Sequence, residues 1–281
     1  MTDVSTPDAG TPAVSVKGLS IYNHIGEVPA VTDVSFTVHP GEALGIVGES
    51  GSGKTITCRA LLGILPDLFE VTAGSIELLG RDTEPLTQRE WTALRGSVIS
   101  AVFQDPASFL DPSIPVGHQV AEVLRVKKGL GRRLARERAL DLLDAMRIRD
   151  PEYVYLQYPF ELSGGMLQRI LIAAAVASEP RILIADEATT ALDVTVQAEI
   201  LDLLTDLKDR LGLALIVVSH DLAVVSQLCS NVLVLRAGEV VEQGTKGQIL
   251  FAPQHDYTRM LVDEHHRFGL ERFQRRAVVR G

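Results

Sequence analysis

The sequence predicts an α/β fold with a core of buried strands, an antiparallel β subdomain and an inserted helical subdomain. Continuous apolar runs at residues 43–47, 182–185 and 213–218 are typical of strands that are buried on both faces. Residues 14–38 alternate apolar and polar side chains over short stretches, as half-buried antiparallel strands do. Between residues 105 and 178 the strand pattern disappears and apolar residues recur at helical spacing, which indicates helices inserted into the core.

The length and composition fit one large domain with two lobes. A chain of 281 residues can bury a sizeable core, and 46% of its residues are hydrophobic. No run of about 18 uncharged apolar residues is present to span a bilayer, and residues 1–13 lack the basic and apolar regions of a signal peptide. We therefore expect a soluble protein with a disordered tail at residues 1–13, a domain at residues 14–244 whose helical subdomain spans about 105–178, and a short extension at residues 245–281.

The charge balance argues against nucleic acid as a partner. The chain has 27 Lys and Arg against 36 Asp and Glu, a formal net charge of −9, whereas a non-specific nucleic-acid surface needs clustered cations. Its two cysteines, Cys58 and Cys229, lie in apolar segments without the spacing of a metal site, so we expect buried, reduced thiols.

A glycine-rich loop follows the first buried strand and precedes a predicted helix that begins at Lys54. The glycines let the backbone fold back with several N–H groups pointing inward, and the helix N-terminus adds a positive dipole, so the loop can hold a phosphate chain. In this pattern the lysine reaches the β and γ phosphates of a nucleotide, and the next hydroxyl, that of Thr55, binds Mg²⁺. The predicted nucleotide site consists of Gly48, Glu49, Ser50, Gly51, Ser52, Gly53, Lys54 and Thr55.

Two adjacent carboxylates, Asp186 and Glu187, follow the buried strand at residues 182–185. A buried carboxylate without a partner is costly, so a Mg²⁺ ion or its water shell is the natural counter-charge for Asp186. Capping of the next helix is the structural alternative, but capping alone does not explain a second acid directly at the end of an apolar strand.

Between the glycine-rich loop and the acidic strand lies the segment Leu162-Ser163-Gly164-Gly165-Met166-Leu167-Gln168-Arg169. Together the three motifs, within residues 14–243, resemble the ATPase subunit of an ATP-binding cassette (ABC) transporter. The resemblance implies a P-loop (RecA-like) nucleotide-binding core, with an antiparallel β subdomain and an inserted helical subdomain, that hydrolyses ATP with Mg²⁺ as its cofactor.

The resemblance also implies roles for single residues outside the loop. Glu187 corresponds to the general base that acts on the attacking water, and His220 matches the switch histidine that contacts the γ phosphate. Gln104 matches the glutamine that touches Mg²⁺ and the attacking water. Tyr22 aligns with an aromatic residue that stacks on adenine, with a core tyrosine as the alternative, and Thr57 is also expected at the nucleotide.

Ser163, Gly164, Gly165 and Met166 precede a helix whose N-terminus can bind an anion. In the family that this chain resembles, these residues contact the γ phosphate held by the opposite subunit, which implies a dimer that encloses two ATP molecules. Asp193 matches the loop that crosses the dimer interface.

Met166 stands where most members of the family have Gln. This variant, the preceding Tyr158-Pro159-Phe160-Glu161 and the later Pro253-Gln254-His255-Asp256-Tyr257-Thr258 resemble the D-type ATPase, the first of two unlike ATPases of dipeptide, oligopeptide and nickel importers. The implied partners are a second, unlike ABC ATPase, two transmembrane permease subunits and an extracytoplasmic solute-binding protein, at the cytoplasmic face of the cell membrane. The solute stays open between peptides and nickel or other metal chelates, and the ATPase of an ABC exporter or of a non-transport ABC protein is the alternative function.

A segment interrupted by prolines follows Gln104 at the join between the two lobes, and the prolines argue against a buried regular element. Its apolar residues are Phe109, Leu110, Ile114 and Val116. These side chains could pack against the helical lobe. We expect instead that they line a groove for a short cytoplasmic helix of the membrane subunit.

Overall fold

The structure is a computed structural model that describes residues 10–190 and 192–265. Most of the predicted disordered tail, up to residue 9, and the end of the predicted extension, residues 266–281, lie outside the described residues. Ala13 is buried; its N–H donates to the Val38 carbonyl at 2.8 Å and its own carbonyl accepts from the Leu79 N–H at 2.9 Å. The first strand is therefore anchored from its start.

Four strands form an antiparallel sheet. β1 (Val14–Asn23) lies between β2 (Val28–Val38) and β4 (Phe69–Leu78), and β5 (Arg81–Asp82) pairs with β4. Along β2, Val34, Phe36 and Val38 are buried while the residues between them are exposed. This alternation, which the sequence predicts, turns one face of the sheet toward the core.

Six strands form the core sheet. Their order is β10 (Glu239–Thr245), β9 (Asn231–Arg236), β3 (Ala43–Val47), β8 (Ala214–Ser219), β7 (Ile182–Asp186) and β6 (Ile99–Val102). β3 pairs in parallel with β8 and β9, β7 pairs in parallel with β6 and β8, and β10 is antiparallel to β9. Every residue of β3, β7 and β8 is buried, as their apolar runs predict. Because these strands are parallel, their carboxyl ends meet at one edge of the sheet, where ligands bind in open α/β sheets.

The helices surround these sheets. They are α1 (Lys54–Leu61), α2 (Gln88–Leu94), α3 (Val116–Lys128), α4 (Arg132–Ala145), α5 (Pro151–Tyr155), α6 (Gly164–Val176), α7 (Val194–Leu211), α8 (Leu222–Leu228) and α9 (Lys246–Phe251), and residues 256–265 are also helical. Within residues 10–190 and 192–265, none of the helices is long and apolar enough to cross a membrane.

Residues 103–181 are all described and contain no strand, so the helical subdomain lies between β6 and β7 in the chain. On α4, Leu143 is fully buried, as is Met146 just after the helix, whereas Leu134 is 44% exposed. The core of the helical subdomain is therefore built from the face of α4 that carries Leu143 and not from the face that carries Leu134.

Two apolar clusters flank the core sheet. One cluster joins the sheet to the helical subdomain and α7, and the other fills the space between the core sheet and the antiparallel sheet. The buried stripe of α7 includes Ile200, Leu203, Leu204 and Leu207. Cys229 belongs to the first cluster and Cys58 to the second; both thiols are free and buried, as predicted.

The segment after Gln104 departs from the prediction for two of its apolar residues. Leu110 is 5% exposed and Val116 is fully buried, so neither can line an open groove. Pro115 is the N-cap of α3 and Val116 is its first residue, because a proline is compatible with the start of a helix, where no N–H partner is lost. Only Phe109 and Ile114 of the four side chains are exposed.

Candidate functional site

The carboxyl ends of the parallel strands border an open cleft of about 820 Å³. Eight of the residues predicted for the nucleotide and its chemistry line this cleft: Gly48, Glu49, Ser50, Thr55, Gln104, Asp186, Glu187 and His220. They come from the ends of β3, β6, β7 and β8 and from the start of α1, so the fold brings together groups that are far apart in sequence.

The phosphate loop passes so close to its neighbours that side chains are excluded at two glycines. A Cβ atom at Gly48 would lie 2.1 Å from the Leu235 carbonyl oxygen and 2.7 Å from Ser52 Oγ. Gly53, with φ of 101°, precedes α1, and a Cβ there would lie 2.9 Å from the Ala30 carbonyl oxygen. The loop therefore keeps its narrow turn only with glycine at these positions.

Lys54 is 4% exposed, and its ammonium group turns back into the loop. Lys54 Nζ donates to the carbonyl oxygens of Gly48 and Glu49, both at 2.7 Å. Burial lowers the pKa of Lys54, and the nearby carboxylates of Glu187 and Asp186 oppose that shift. The loop carbonyls thus hold the ammonium group within the phosphate loop.

Asp186 ends β7 and is 4% exposed, with the Thr55 hydroxyl donating to its Oδ1 at 3.4 Å. Burial raises the pKa of Asp186, and the hydrogen bond from Thr55 lowers it. A hydroxyl and a carboxylate side by side at an open cleft are the hard oxygen ligands that Mg²⁺ takes. Among the described residues no cluster of three or more His, Cys, Asp or Glu side chains could hold a metal ion. The Thr55–Asp186 pair fits a Mg²⁺ ion that would take its other ligands from water and from the phosphates of a substrate.

Glu187 and His220 face each other across the ends of β7 and β8. Glu187 Oε1 lies 3.5 Å from His220 Nδ1, and the Thr190 hydroxyl donates to Glu187 Oε2 at 3.3 Å. Glu187 has a φ of 50°, which is uncommon for a residue with a side chain, and its N–H donates to the Val218 carbonyl at 2.9 Å. The residue directly after β7 thus holds its carboxylate at the cleft in a strained backbone conformation, as is frequent at functional sites.

Two predicted nucleotide residues outside the phosphate loop also lie outside the cleft lining. Thr57 is fully buried and its hydroxyl donates to the Gly53 carbonyl at 2.9 Å, so it supports the loop from behind and does not line the cleft. Tyr22 lies on β1, half-buried, with its ring 5.2 Å from the His24 ring, and is also absent from the cleft lining.

The residues predicted to act across a subunit interface also lie away from the cleft lining. Ser163 is exposed and caps α6, where its Oγ accepts from the Met166 N–H at 3.4 Å. A Cβ atom at Gly165 would lie 2.6 Å from Val196 Cγ1, so this glycine permits close packing of α6 on α7. Asp193 is exposed and caps α7, its Oδ1 accepting from the N–H groups of Thr195 and Val196 at 3.1 and 3.0 Å.

Several residues of the cleft are not found by the motifs. Arg59 and Phe109 line it, and so do Leu261 and Glu264, which lie in the helical residues 256–265. Tyr257 of the same helix contacts the phosphate loop, since its hydroxyl oxygen accepts from the Glu49 N–H at 2.9 Å. The sequence marks this region only through its Pro253-Gln254-His255-Asp256-Tyr257-Thr258 segment, which carries no chemistry of its own.

Comparisons with known proteins give consistent results. Residues 31–190 match the ABC transporter family. The chain is 43% identical over 253 residues to the dipeptide transport ATP-binding protein DppD of Lactococcus lactis subsp. cremoris, which covers 89% of this chain and 72% of that protein. It is 46% identical over 243 residues to a probable peptide ABC transporter ATP-binding protein of Sinorhizobium fredii, with 86% and 72% covered.

A solved structure shares the fold. The dimeric, post-hydrolysis structure of the ATP-binding cassette MJ0796, bound to ADP and Pi, matches with a TM-score of 0.74 at 29% identity, and the match covers 83% of this chain and 98% of that one. This likeness confirms the predicted α/β core with its antiparallel β and helical subdomains.

Proposed function

We propose that this chain powers the import of peptides through partner membrane subunits. The premise is that the chain belongs to the ABC transporter family and is an ATPase of that family. The observation that carries the ATPase chemistry is the convergence of Asp186, Glu187 and His220 on one cleft that the phosphate loop also lines. Lys54 is bonded to the carbonyl oxygens of that loop. The peptide part rests on the relatives, two of which are named for dipeptide and peptide transport.

ATP enters the cleft with its phosphate chain in the loop. Backbone N–H groups and the N-terminus of α1 surround the phosphates, and Lys54 Nζ exchanges the Gly48 and Glu49 carbonyls, now 2.7 Å away, for β and γ phosphate oxygens. Thr55 and Asp186, with Gln104, would hold a Mg²⁺ ion, and that ion would supply neutralisation of the charge that develops on the phosphate oxygens.

Hydrolysis requires a base beside the γ phosphate. Glu187 takes a proton from the attacking water as its oxygen bonds to the γ phosphorus and the bond to the ADP oxygen breaks. His220, 3.5 Å from the Glu187 carboxylate, holds the γ phosphate and orients the base. Tyr22, at one end of the antiparallel sheet, takes the adenine ring in this arrangement.

The site is completed by a second subunit. Residues 163–166 are absent from the lining of this chain's own cleft, which supports a role at the γ phosphate of a second, unlike ABC ATPase. The chain then hydrolyses ATP feebly alone and at a high rate in the presence of that partner and two permease subunits. Robust turnover by a strictly monomeric preparation would contradict the proposal.

Transport by the whole assembly tests the solute. A strain that lacks this chain would be complemented with the wild type or with Glu187→Gln, and the uptake of a labelled dipeptide, a labelled oligopeptide and radioactive nickel would be measured. We expect peptide uptake to return with the wild type and not with Glu187→Gln. Uptake of nickel alone would assign the chain to metal-chelate import, and no change in any uptake would overturn the importer function.

We assign Ile114 to the groove for the permease helix. Ile114 is 40% exposed and lies in the proline-interrupted segment that follows Gln104. We expect Ile114→Asp to lower transport while the nucleotide affinity of the isolated chain stays unchanged. Val126→Asp is the matched control. Val126 is 68% exposed on α3, and this variant also replaces an exposed β-branched apolar side chain with a carboxylate. Equal transport by the two variants would remove the coupling role.

A further inference from the structure

The C-terminal segment at residues 253–265 touches the phosphate loop. The Tyr257 hydroxyl oxygen accepts a hydrogen bond from the Glu49 N–H at 2.9 Å, between residues that are 208 positions apart. Tyr257 is 3% exposed. A buried hydroxyl bonded to one backbone group of a glycine-rich loop restricts a segment that would otherwise have many conformations.

The same peptide group of the loop is tied to the phosphate lysine. Lys54 Nζ donates to the Gly48 carbonyl oxygen at 2.7 Å, and Tyr257 binds the N–H of that same peptide group, which is the Glu49 N–H. The Gly48–Glu49 peptide group is therefore held at both its oxygen and its nitrogen. A change in its position would move the carbonyl oxygen that Lys54 Nζ binds.

Tyr257 is itself held rigidly. The Arg236 guanidinium lies over its ring, 4.8 Å from the ring centre. The turn that precedes it is fixed by the Glu242 carboxylate, which accepts from the N–H groups of Gln254 and His255 at 2.8 and 2.9 Å. His255 Nδ1 accepts from the Tyr257 N–H at 3.1 Å, so the tyrosine sits at the first turn of an anchored helix.

Two further residues of that helix, Leu261 and Glu264, line the nucleotide cleft. We propose that residues 253–265 form a C-terminal latch that keeps the phosphate loop in its nucleotide-receptive conformation. Tyr257 is the positioning residue of the latch and acts through the Gly48–Glu49 peptide group. The proposal rests on nucleotide binding in this cleft and not on the identity of the transported solute.

Tyr257→Phe tests the latch because it removes the hydroxyl and keeps the ring. The full chain would be titrated with a fluorescent ATP analogue in the presence of Mg²⁺, and its melting temperature would be measured without nucleotide. We expect the apparent Kd to rise about five- to tenfold, since the receptive loop is then only fractionally populated. The melting temperature should stay within about 4 °C of the wild type.

Tyr155→Phe is the matched control. Tyr155 is 4% exposed, and the Arg136 guanidinium lies 5.4 Å from its ring centre, but it belongs to α5 in the helical subdomain. We expect its Kd to equal that of the wild type. A Kd for Tyr257→Phe within twofold of the wild type, or an equal rise in Tyr155→Phe, would overturn the latch; failure of the wild type to bind the analogue would instead overturn nucleotide binding in this cleft.

Two more readouts separate positioning from simple stabilisation. In the assembly that hydrolyses ATP, Tyr257→Phe should raise KM while kcat stays within about twofold, because Glu187 and His220 are untouched. In the wild type, hydrogen exchange of residues 256–258 should slow when nucleotide binds, because coupling between two sites is reciprocal. Unchanged exchange there would overturn the latch even if the phenylalanine variant did not fold.

Discussion

Asp186→Asn should stabilise the nucleotide-free chain and at the same time abolish its Mg²⁺-dependent affinity for ATP. The Asp186 residue is 4% exposed, so its carboxylate has lost most of its hydration. The hydrogen bond that it accepts from the Thr55 hydroxyl is long, at 3.4 Å, and offsets little of that loss. Burial raises the pKa of Asp186, which means that the folded state prefers the neutral form. An amide of the same shape relieves that cost. Single stabilising substitutions commonly contribute about 0.5–2 kcal/mol, and we expect a gain of about 1 kcal/mol here.

About 1 kcal/mol corresponds to a rise of about 2–4 °C in melting temperature for a domain of this size. The gain should depend on pH. A carboxyl whose folded pKa lies above its ordinary value of 3.8 imposes its penalty above the folded pKa and none below 3.8, so stability falls as the pH rises through that window. The advantage of Asp186→Asn should therefore be largest at neutral pH and shrink as the pH is lowered toward 3.8.

Scanning calorimetry of the nucleotide-free chain at several pH values measures this effect. Asp202→Asn is the control, since Asp202 is exposed on α7 and a surface change should stay within about 0.5 kcal/mol. Titration with ATP should show that Mg²⁺ strengthens binding in the wild type and the control only. A melting temperature of Asp186→Asn below that of the wild type at neutral pH would refute the reasoning.

Two further predictions concern the base and the signature helix. Glu187→Gln should bind ATP normally, and the complete assembly that contains it should lose at least about a hundredfold in turnover. The control Glu137→Gln, at an exposed position on α4, should keep wild-type turnover. Near-normal hydrolysis by Glu187→Gln would remove the assignment of Glu187 as the base. Gly165→Ala should lower the melting temperature, because its Cβ would lie 2.6 Å from Val196 Cγ1. Gly164→Ala should not, because the nearest atom to its Cβ would be 3.7 Å away. Equal melting temperatures of the two variants would show that α6 and α7 can move apart without a loss of stability.

Much of the site could be predicted because its residues are local to single strands. The apolar runs of β3, β7 and β8 are each followed directly by their functional groups, and parallel pairing brings those ends together whatever the loops between them do. Thr57 shows the limit of the motif, since only the direction of α1 decides that its hydroxyl supports Gly53 from behind.

Other features depend on packing between distant segments. Val116 and Leu110 were expected on a groove because prolines surround them. Instead α3 begins at Val116, directly after its N-cap Pro115, and both side chains are buried in the core. The 2.6 Å approach that explains glycine at position 165 exists only once α7 lies against α6.

The sequence by itself determined the fold class, the phosphate loop and the paired acids, because each is encoded in consecutive residues whose spacing limits the backbone. The tertiary structure decided which further residues reach the cleft. Tyr257 bonds to Glu49 across 208 positions of chain, and no periodicity or local motif records such a contact, because it arises from the path of the whole C-terminal segment over the core sheet.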